Sequence, residues 1–170
     1  MTIIVNLCRL VLALTFIVSG YVKSIDPLGT QYKLQDYLAA IDMAGIVSPW
    51  VTLIASVLLS AVEFSLGIFM LFAIRRLIVS RLVLLMMTVM TLLTVWIYFA
   101  DPVKDCGCFG DAFVLTNGET LLKNIVLIAC AAIVAWRPGK MLRLISKSNQ
   151  WIVMNYTCRQ MPLWLLLARC

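Results

Sequence analysis

The chain has 170 residues, of which 63% are hydrophobic and 13% are charged, and its mean hydropathy is +1.01. Soluble domains typically contain about 45–50% apolar and about 25% charged residues, so this composition indicates a membrane protein. The formal net charge is +6, but the basic residues lie beside apolar runs, and the positive-inside rule explains them better than nucleic-acid binding does. Because the chain has no histidine, haem-His, zinc-His and Cys-His chemistry are excluded within it.

Four apolar runs are long enough to cross a bilayer as helices, which takes roughly 20 residues each. They cover residues 3–22, 49–74, 77–100 and 117–136. The predicted fold is therefore all-α: a polytopic membrane protein with a four-transmembrane-helix bundle over residues 1–140 and short external loops. Residues 141–170 form a basic, then apolar tail, which predicts either an amphipathic interfacial helix or a partial fifth helix.

Small and polar residues recur at helical spacing in the first two spans, and such faces are expected to turn toward other helices rather than lipid. The residues concerned are Asn6, Arg9, Ala13, Phe16, Gly20 and Lys23 in the first span, and Ser56, Ser60, Glu63 and Gly67 in the second.

Short polar stretches separate the spans. Asp26 to Gly29 predicts a turn, and residues 32–38 predict a short helix in the membrane interface. Pro49 is predicted to open the second span. Thr116 to Glu119 matches the capping-box pattern, which places the start of the fourth span near residue 117.

Lysine and arginine set the predicted orientation. Residues 75–81 carry three of them and residues 137–147 carry four, whereas acidic residues outnumber the lysines in the loops at 23–48 and 101–118. The positive-inside rule therefore predicts that both termini are cytoplasmic and that the loop at 101–118 is external.

That loop contains Cys106 and Cys108, separated only by Gly107. A bend at the glycine can bring the two Cα atoms within the disulfide range of about 4.4–6.8 Å. Such a small, strained and exposed disulfide is suited to thiol–disulfide exchange. A static disulfide that pins the loop, free thiols without a role, and a metal pair remain alternatives. Since structural zinc usually takes four Cys or His ligands, no metal site is predicted.

Two ionisable residues, Arg9 and Glu63, lie inside the predicted spans, and their side chains are expected to meet within the bundle. Intramembrane charges of this kind indicate either a functional site or an ion pair that fixes helix register. Cys8 and Cys130 are expected to be inert small hydrophobic residues.

Several of these elements together resemble the DoxX-like membrane proteins, and most closely their MauE-like, redox-associated subset. The resemblance covers about residues 1–140 and lies in Ser19-Gly20-Tyr21-Val22-Lys23, Asp26-Pro27-Leu28-Gly29, Glu63, Asp105-Cys106-Gly107-Cys108-Phe109-Gly110-Asp111, and Thr116-Asn117 with Lys123-Asn124.

The resemblance implies a four-helix bundle in a bacterial cytoplasmic (inner) membrane. MauE-like members are associated with maturation of a periplasmic enzyme beside thioredoxin-like proteins, and another DoxX-like protein is a subunit of a thiosulfate:quinone oxidoreductase. Carried onto this chain, Cys106 and Cys108 become the candidate redox pair, while Lys23, Asp26 and Glu63 join Arg9 in a candidate intramembrane polar centre. Such relatives continue past the fourth helix with further membrane sequence, and whether this chain is truncated at its C-terminus stays open.

Three functional hypotheses follow. The first is a thiol–disulfide relay or accessory protein that uses Cys106 and Cys108 with a thioredoxin-like periplasmic partner. The second is a quinone-coupled oxidoreductase resembling vitamin K epoxide reductase, ranked lower because the Cys-x-x-Cys pair of that family is missing. The third is a non-enzymatic scaffold with a structural loop disulfide. No cofactor is evident apart from a candidate quinone, the bilayer is the expected environment, nucleic acid is not an expected partner, and whether the protein is an enzyme stays open.

Overall fold

The computed structural model describes residues 2–40, 42, 47–100, 116–142, 150–153 and 155–157. Its elements are α1 (Thr2–Ile25), α2 (Pro27–Ala40), α3 (Pro49–Leu71), α4 (Arg76–Ala100), α5 (Asn117–Trp136) and a short 3-10 turn (Pro138–Lys140). Of these, α1, α3, α4 and α5 are long and apolar enough to cross a membrane, and the described ranges contain no strand. The prediction of an all-α polytopic membrane protein with four spanning helices is confirmed.

The spanning helices begin and end within about one turn of the predicted limits. Pro49 opens α3 as predicted, because its fixed φ suits the first helical position and Ser48 before it is extended. The capping box at the start of α5 is also confirmed: the Glu119 backbone N–H donates to the Thr116 hydroxyl, and the Thr116 backbone N–H donates to the Glu119 carboxylate at 3.0 Å. The limits of the predicted domain and tail, 1–140 and 141–170, stay predictions.

Helix α2 corrects the prediction of a turn from Asp26 to Gly29. Asp26 is the residue before the helix, and its carboxylate accepts a 2.9 Å hydrogen bond from the backbone N–H of Gly29. An Asp-Pro pair suits the start of a helix as well as a turn. The Asp carboxylate accepts a hydrogen bond from a backbone N–H of the first helical turn, and Pro lacks the backbone N–H that would be unpaired at a helix start. The helix then runs for 14 residues rather than the predicted seven.

Polar contacts fix α2 alongside the first half of α3. The Gln31 side-chain amide donates to the carbonyl of Pro49 at 2.9 Å, and the Ser56 hydroxyl donates to the carbonyl of Pro27 at 2.8 Å. Because a buried side-chain amide or hydroxyl needs a hydrogen-bond partner in an apolar setting, these bonds favour close packing of the two helices. The helix predicted for the interface is therefore packed on the bundle.

The close packing of α1 against α3 depends on two glycines. A Cβ placed on Gly20 would lie 2.5 Å from the backbone nitrogen of Phe64, and one placed on Gly67 would lie 2.8 Å from that of Ile17. Small residues let membrane helices approach this closely, and dispersion contacts then stabilise the pair. The predicted small and polar faces are confirmed to point inward, since every member is buried except Asn6, which is half-buried.

The turn between α3 and α4 is tight. The backbone N–H of Ile74 donates to Phe69 and that of Ala73 to Met70, which is the pattern of a Schellman motif. Ala73 has a φ of 55° in the position where glycine is usual, and its methyl group is buried.

Residues 139–142 contact α1 and α4 at the end of the bundle where α3 turns into α4. Arg76 donates to the carbonyls of Gly139 and Met141, each at 3.0 Å. The backbone N–H of Leu142 donates to the Asn6 side chain at 2.9 Å. We call this the closed end; it holds the start of α1 and the end of α5. The opposite end, where α4 ends and α5 begins, is called the loop end.

Candidate functional site

The centre of the bundle contains a buried ion pair between α1 and α3. The Lys23 ammonium contacts both carboxylate oxygens of Glu63, at 2.7 and 2.8 Å, and the Ser19 hydroxyl donates to Oε2 of the same carboxylate at 2.8 Å. Lys23 and Glu63 are 3% and 5% exposed. Ser19 precedes Lys23 by four residues, so both side chains lie on one face of α1. The pair neutralises two charges that would each be costly to bury alone.

A small cavity adjoins this ion pair between α1, α3, α4 and α5. Its volume is about 40 Å³, and its polar lining includes Ser19, Lys23, Glu63, Lys123 and Asn124. Asn124 also donates a buried 2.8 Å hydrogen bond to the hydroxyl of Thr94, which joins α5 to α4. A water molecule needs roughly 10–15 Å³ of such space, so the cavity has room for a few waters and for no organic substrate.

A larger cavity, of about 150 Å³, also borders Lys23 and lies between α2, α3 and α4. A cavity of about this volume in an engineered protein holds benzene, so a single aromatic ring fits. Thr30, Ser56 and Lys23 supply polar groups, whereas α4 supplies an apolar wall of Val89, Met90 and Leu93. Lys23 therefore borders both cavities, and a ligand in the larger one would meet two charged residues of its lining, Lys23 and Lys33.

Two of the four residues predicted for the polar centre lie elsewhere. Arg9 donates to the carbonyl of Leu142 at the closed end, so the expectation that Arg9 and Glu63 meet is wrong. Fourteen residues of helix, or about 21 Å at a 1.5 Å rise, separate Arg9 from Lys23 on α1. Asp26 caps α2 instead. Among the described residues Arg9 Nε is buried without a hydrogen-bond partner.

The predicted redox pair, Cys106 and Cys108, lies outside the described residues. The structure does describe the two helix ends on either side of residues 101–115: α4 ends at Ala100, and the capping box at Thr116 fixes the start of α5.

Sequence reasoning did not single out Ser19 and Asn124 for the polar centre. The signal for Ser19 was its position one helical turn before a lysine on an inward-facing stripe. The signal for Asn124 was weaker: it is a lone amide in an apolar run, and such a group needs a partner when buried.

Four apolar spanning helices around a buried polar centre define the protein as a polytopic α-helical membrane protein. The family model of the methylamine utilisation protein MauE matches residues 1–137. The chain therefore belongs to the MauE family of membrane proteins, which indicates a role in methylamine utilisation. Neither a curated protein nor a solved structure matches the chain significantly.

Proposed function

We propose that the protein is a thiol–disulfide relay, or an accessory to one, in the bacterial inner membrane. Its reactive groups are Cys106 and Cys108, and its partner is a thioredoxin-like periplasmic protein. Membership of the MauE family carries the proposal. The DoxX-like relationship, the cytoplasmic termini and the external position of residues 101–115 belong to the same proposal and rest on sequence resemblance and on the distribution of lysine and arginine.

The chemistry is a two-step exchange. A thiolate of the partner's dithiol attacks one sulfur of the Cys106–Cys108 disulfide, the bond between those cysteines breaks, and the released thiolate takes up a proton. The second thiol of the partner loses its proton and attacks the mixed disulfide. The partner leaves as a disulfide, and this chain keeps two thiols, so two electrons and two protons have moved. The reverse sequence transfers them the other way.

The four spanning helices can serve as a rigid support for such a loop. The close contact at the glycines and the Lys23–Glu63 ion pair both hold α1 against α3. The capping box fixes the residue at which α5 begins. A loop attached to fixed helix ends loses less conformational entropy when it docks on a partner.

Alkylation of intact cells tests the proposal. A membrane-impermeant maleimide is applied before and after reduction to the parent, to Cys106→Ser, to Cys108→Ser, to the double variant of both, and to Cys130→Ser as the matched control. We expect external labelling that rises after reduction in the parent and in Cys130→Ser, and that is lost only when Cys106 and Cys108 are both replaced. Labelling that reduction does not change, or that needs cell lysis, contradicts the relay.

A trapping experiment identifies the partner. In Cys106→Ser or Cys108→Ser cells, the remaining loop cysteine can attack the disulfide of an oxidised partner, but this chain has no second loop thiol to release that partner. We therefore expect a mixed disulfide that disappears on reduction. If neither variant traps a periplasmic protein, the cysteines only brace the loop and the protein is a scaffold.

A quinone-coupled oxidoreductase is the second candidate, and the 150 Å³ cavity beside Lys23 favours it. The lining fits a quinone ring: an apolar wall from α4 would contact the ring face, and the Lys23 ammonium would donate to a carbonyl oxygen. A bound quinone would supply a two-electron, two-proton acceptor for the thiols. Formation of quinol by the purified protein with dithiol supports this candidate, provided that Leu93→Trp, which fills the cavity, abolishes it.

A further inference from the structure

Two arginines from different helices meet the same short backbone segment at the closed end. The guanidinium of Arg9, on α1, donates to the carbonyl of Leu142. The guanidinium of Arg76, the first residue of α4, donates to the carbonyls of Gly139 and Met141, each at 3.0 Å. Because consecutive Cα atoms are about 3.8 Å apart, the acceptors at positions 141 and 142 hold the two guanidinium groups close to each other.

No carboxylate of the chain balances these two positive charges. Arg9 is 5% exposed, and among the described residues its Nε is buried without a hydrogen-bond partner. The closed end is built from parts of the sequence that contain no acidic residue, namely residues 1–25, 64–100 and 120–170. Glu63, the acidic residue of α3, is already in an ion pair. Since a buried charge without a counterion is costly, this end of the bundle is suited to an anion from outside the chain.

The closed end lies where lipid headgroups are expected. The spanning helices α1 and α4 begin there, and α3 and α5 end there. Trp136, the last residue of α5, is 87% exposed, which is typical of tryptophan at a membrane interface. Arg9 lies about 10 Å along α1 from its first residue, and its long side chain extends back to this end, as arginines in membrane helices do. Leu77, next to Arg76, is 50% exposed and begins the lipid-facing surface of α4.

We propose that Arg9 and Arg76 bind the phosphate group of an anionic phospholipid. The planar guanidinium can present two parallel N–H donors to phosphate oxygens, and such charge-assisted hydrogen bonds are stronger than those to a neutral carbonyl. The acyl chains attached to the phosphate would lie on the exposed apolar surface that begins at Leu77, which a free phosphate ion would not use. A bound lipid neutralises both guanidinium groups and stabilises residues 139–142 between α1 and α4.

Lipid titration of the purified full-length chain tests the site. Phosphatidylglycerol is the probe, and phosphatidylcholine with the same acyl chains is its control, because the choline cation cancels the charge of the phosphate. At about 0.15 M salt the screening length is only about 8 Å, so distant exposed charges contribute little. Native mass spectrometry is expected to show that phosphatidylglycerol binds at least about tenfold more tightly than phosphatidylcholine, and thermal unfolding is expected to show a higher Tm. Inorganic phosphate in excess is expected to do neither; displacement of the lipid by phosphate overturns the assignment to a lipid.

Variants separate this site from general attraction to a basic surface. Arg9→Gln and Arg76→Gln each keep an N–H donor for the carbonyls but remove the charge, and each is expected to reduce the preference for phosphatidylglycerol at least about fivefold. Arg137→Gln is the matched control: it makes the same change at an exposed arginine of the closed end and is expected to change the preference by less than about twofold. If Arg9→Gln does not fold, the half-buried Arg76 still provides the comparison. Equal binding of the two lipids by the parent, or an equal loss in Arg137→Gln, overturns the proposal.

Discussion

Removal of Lys23 from the buried ion pair is expected to destabilise the protein strongly. In Lys23→Met the side-chain volume is nearly kept, but the Glu63 carboxylate loses two hydrogen bonds of 2.7 and 2.8 Å and retains the one from Ser19. The charge on Glu63 is then buried without compensation at 5% exposure.

The magnitude follows from the burial of both partners. Removing one member of a buried pair costs about 3–5 kcal/mol, whereas replacing both members by apolar groups is often neutral or stabilising. For a chain of this length each kcal/mol shifts Tm by about 2–4 °C, so Lys23→Met is expected to lower Tm by roughly 6–20 °C. The double variant Lys23→Met with Glu63→Met is expected to recover most of that loss.

Thermal unfolding in detergent, followed by the fluorescence of the five tryptophans, measures these shifts. Lys140→Met is the matched control because its side chain is exposed and exposed substitutions usually change stability by no more than about 0.5 kcal/mol. The reasoning is refuted if Lys23→Met melts with the parent, or if the double variant is no more stable than the single one. In the second case the lysine would contribute packing alone.

Three further predictions concern the helix contacts, and each is measured by the same unfolding assay. Gly20→Ala is expected to lower stability by about 1–3 kcal/mol, because the new methyl group meets the backbone of α3; Gly139→Ala, which meets nothing within 4 Å, is its control. Thr116→Val opens the capping box of α5 and is expected to cost about 1 kcal/mol, whereas an unchanged Tm would mean that the cap is dispensable. Asn124→Leu removes the buried bond to Thr94 and is expected to cost about 0.5–1.5 kcal/mol; an equal further loss on adding Thr94→Val would contradict a shared interaction.

The spanning helices and their starts could be predicted because the information is local. A run of about 20 apolar residues has few alternatives to a membrane helix. The capping box depends on two residues three positions apart, Thr116 and Glu119. Asp26 shows the limit of local information: the same Asp-Pro pair suits a turn and a helix start, and only its contact with Gly29 decides between them.

The pairing of charges could not be predicted because it depends on the register of α1 against α3. The sequence placed both Lys23 and Glu63 on inward-facing stripes, but a slide of one turn, about 5.4 Å, would have changed the partners. The register is set where Gly20 meets Phe64, which is a property of two helices together.

Lys23 belongs both to the buried ion pair and to the lining of the cavity that is the candidate quinone site. Its ammonium already holds the Glu63 carboxylate, and it also borders the 150 Å³ cavity. A ligand whose carbonyl oxygen accepts a hydrogen bond from this ammonium therefore shares the ammonium with Glu63, whose carboxylate already neutralises its charge. Since an ammonium has three N–H donors and Glu63 uses two contacts, one donor can serve a neutral acceptor without breaking the ion pair. An anionic ligand would instead compete with the carboxylate for the same charge. The third donor of Lys23 thus suits a neutral carbonyl oxygen such as that of a quinone, whereas an anionic ligand would also meet Lys33, which lines the same cavity.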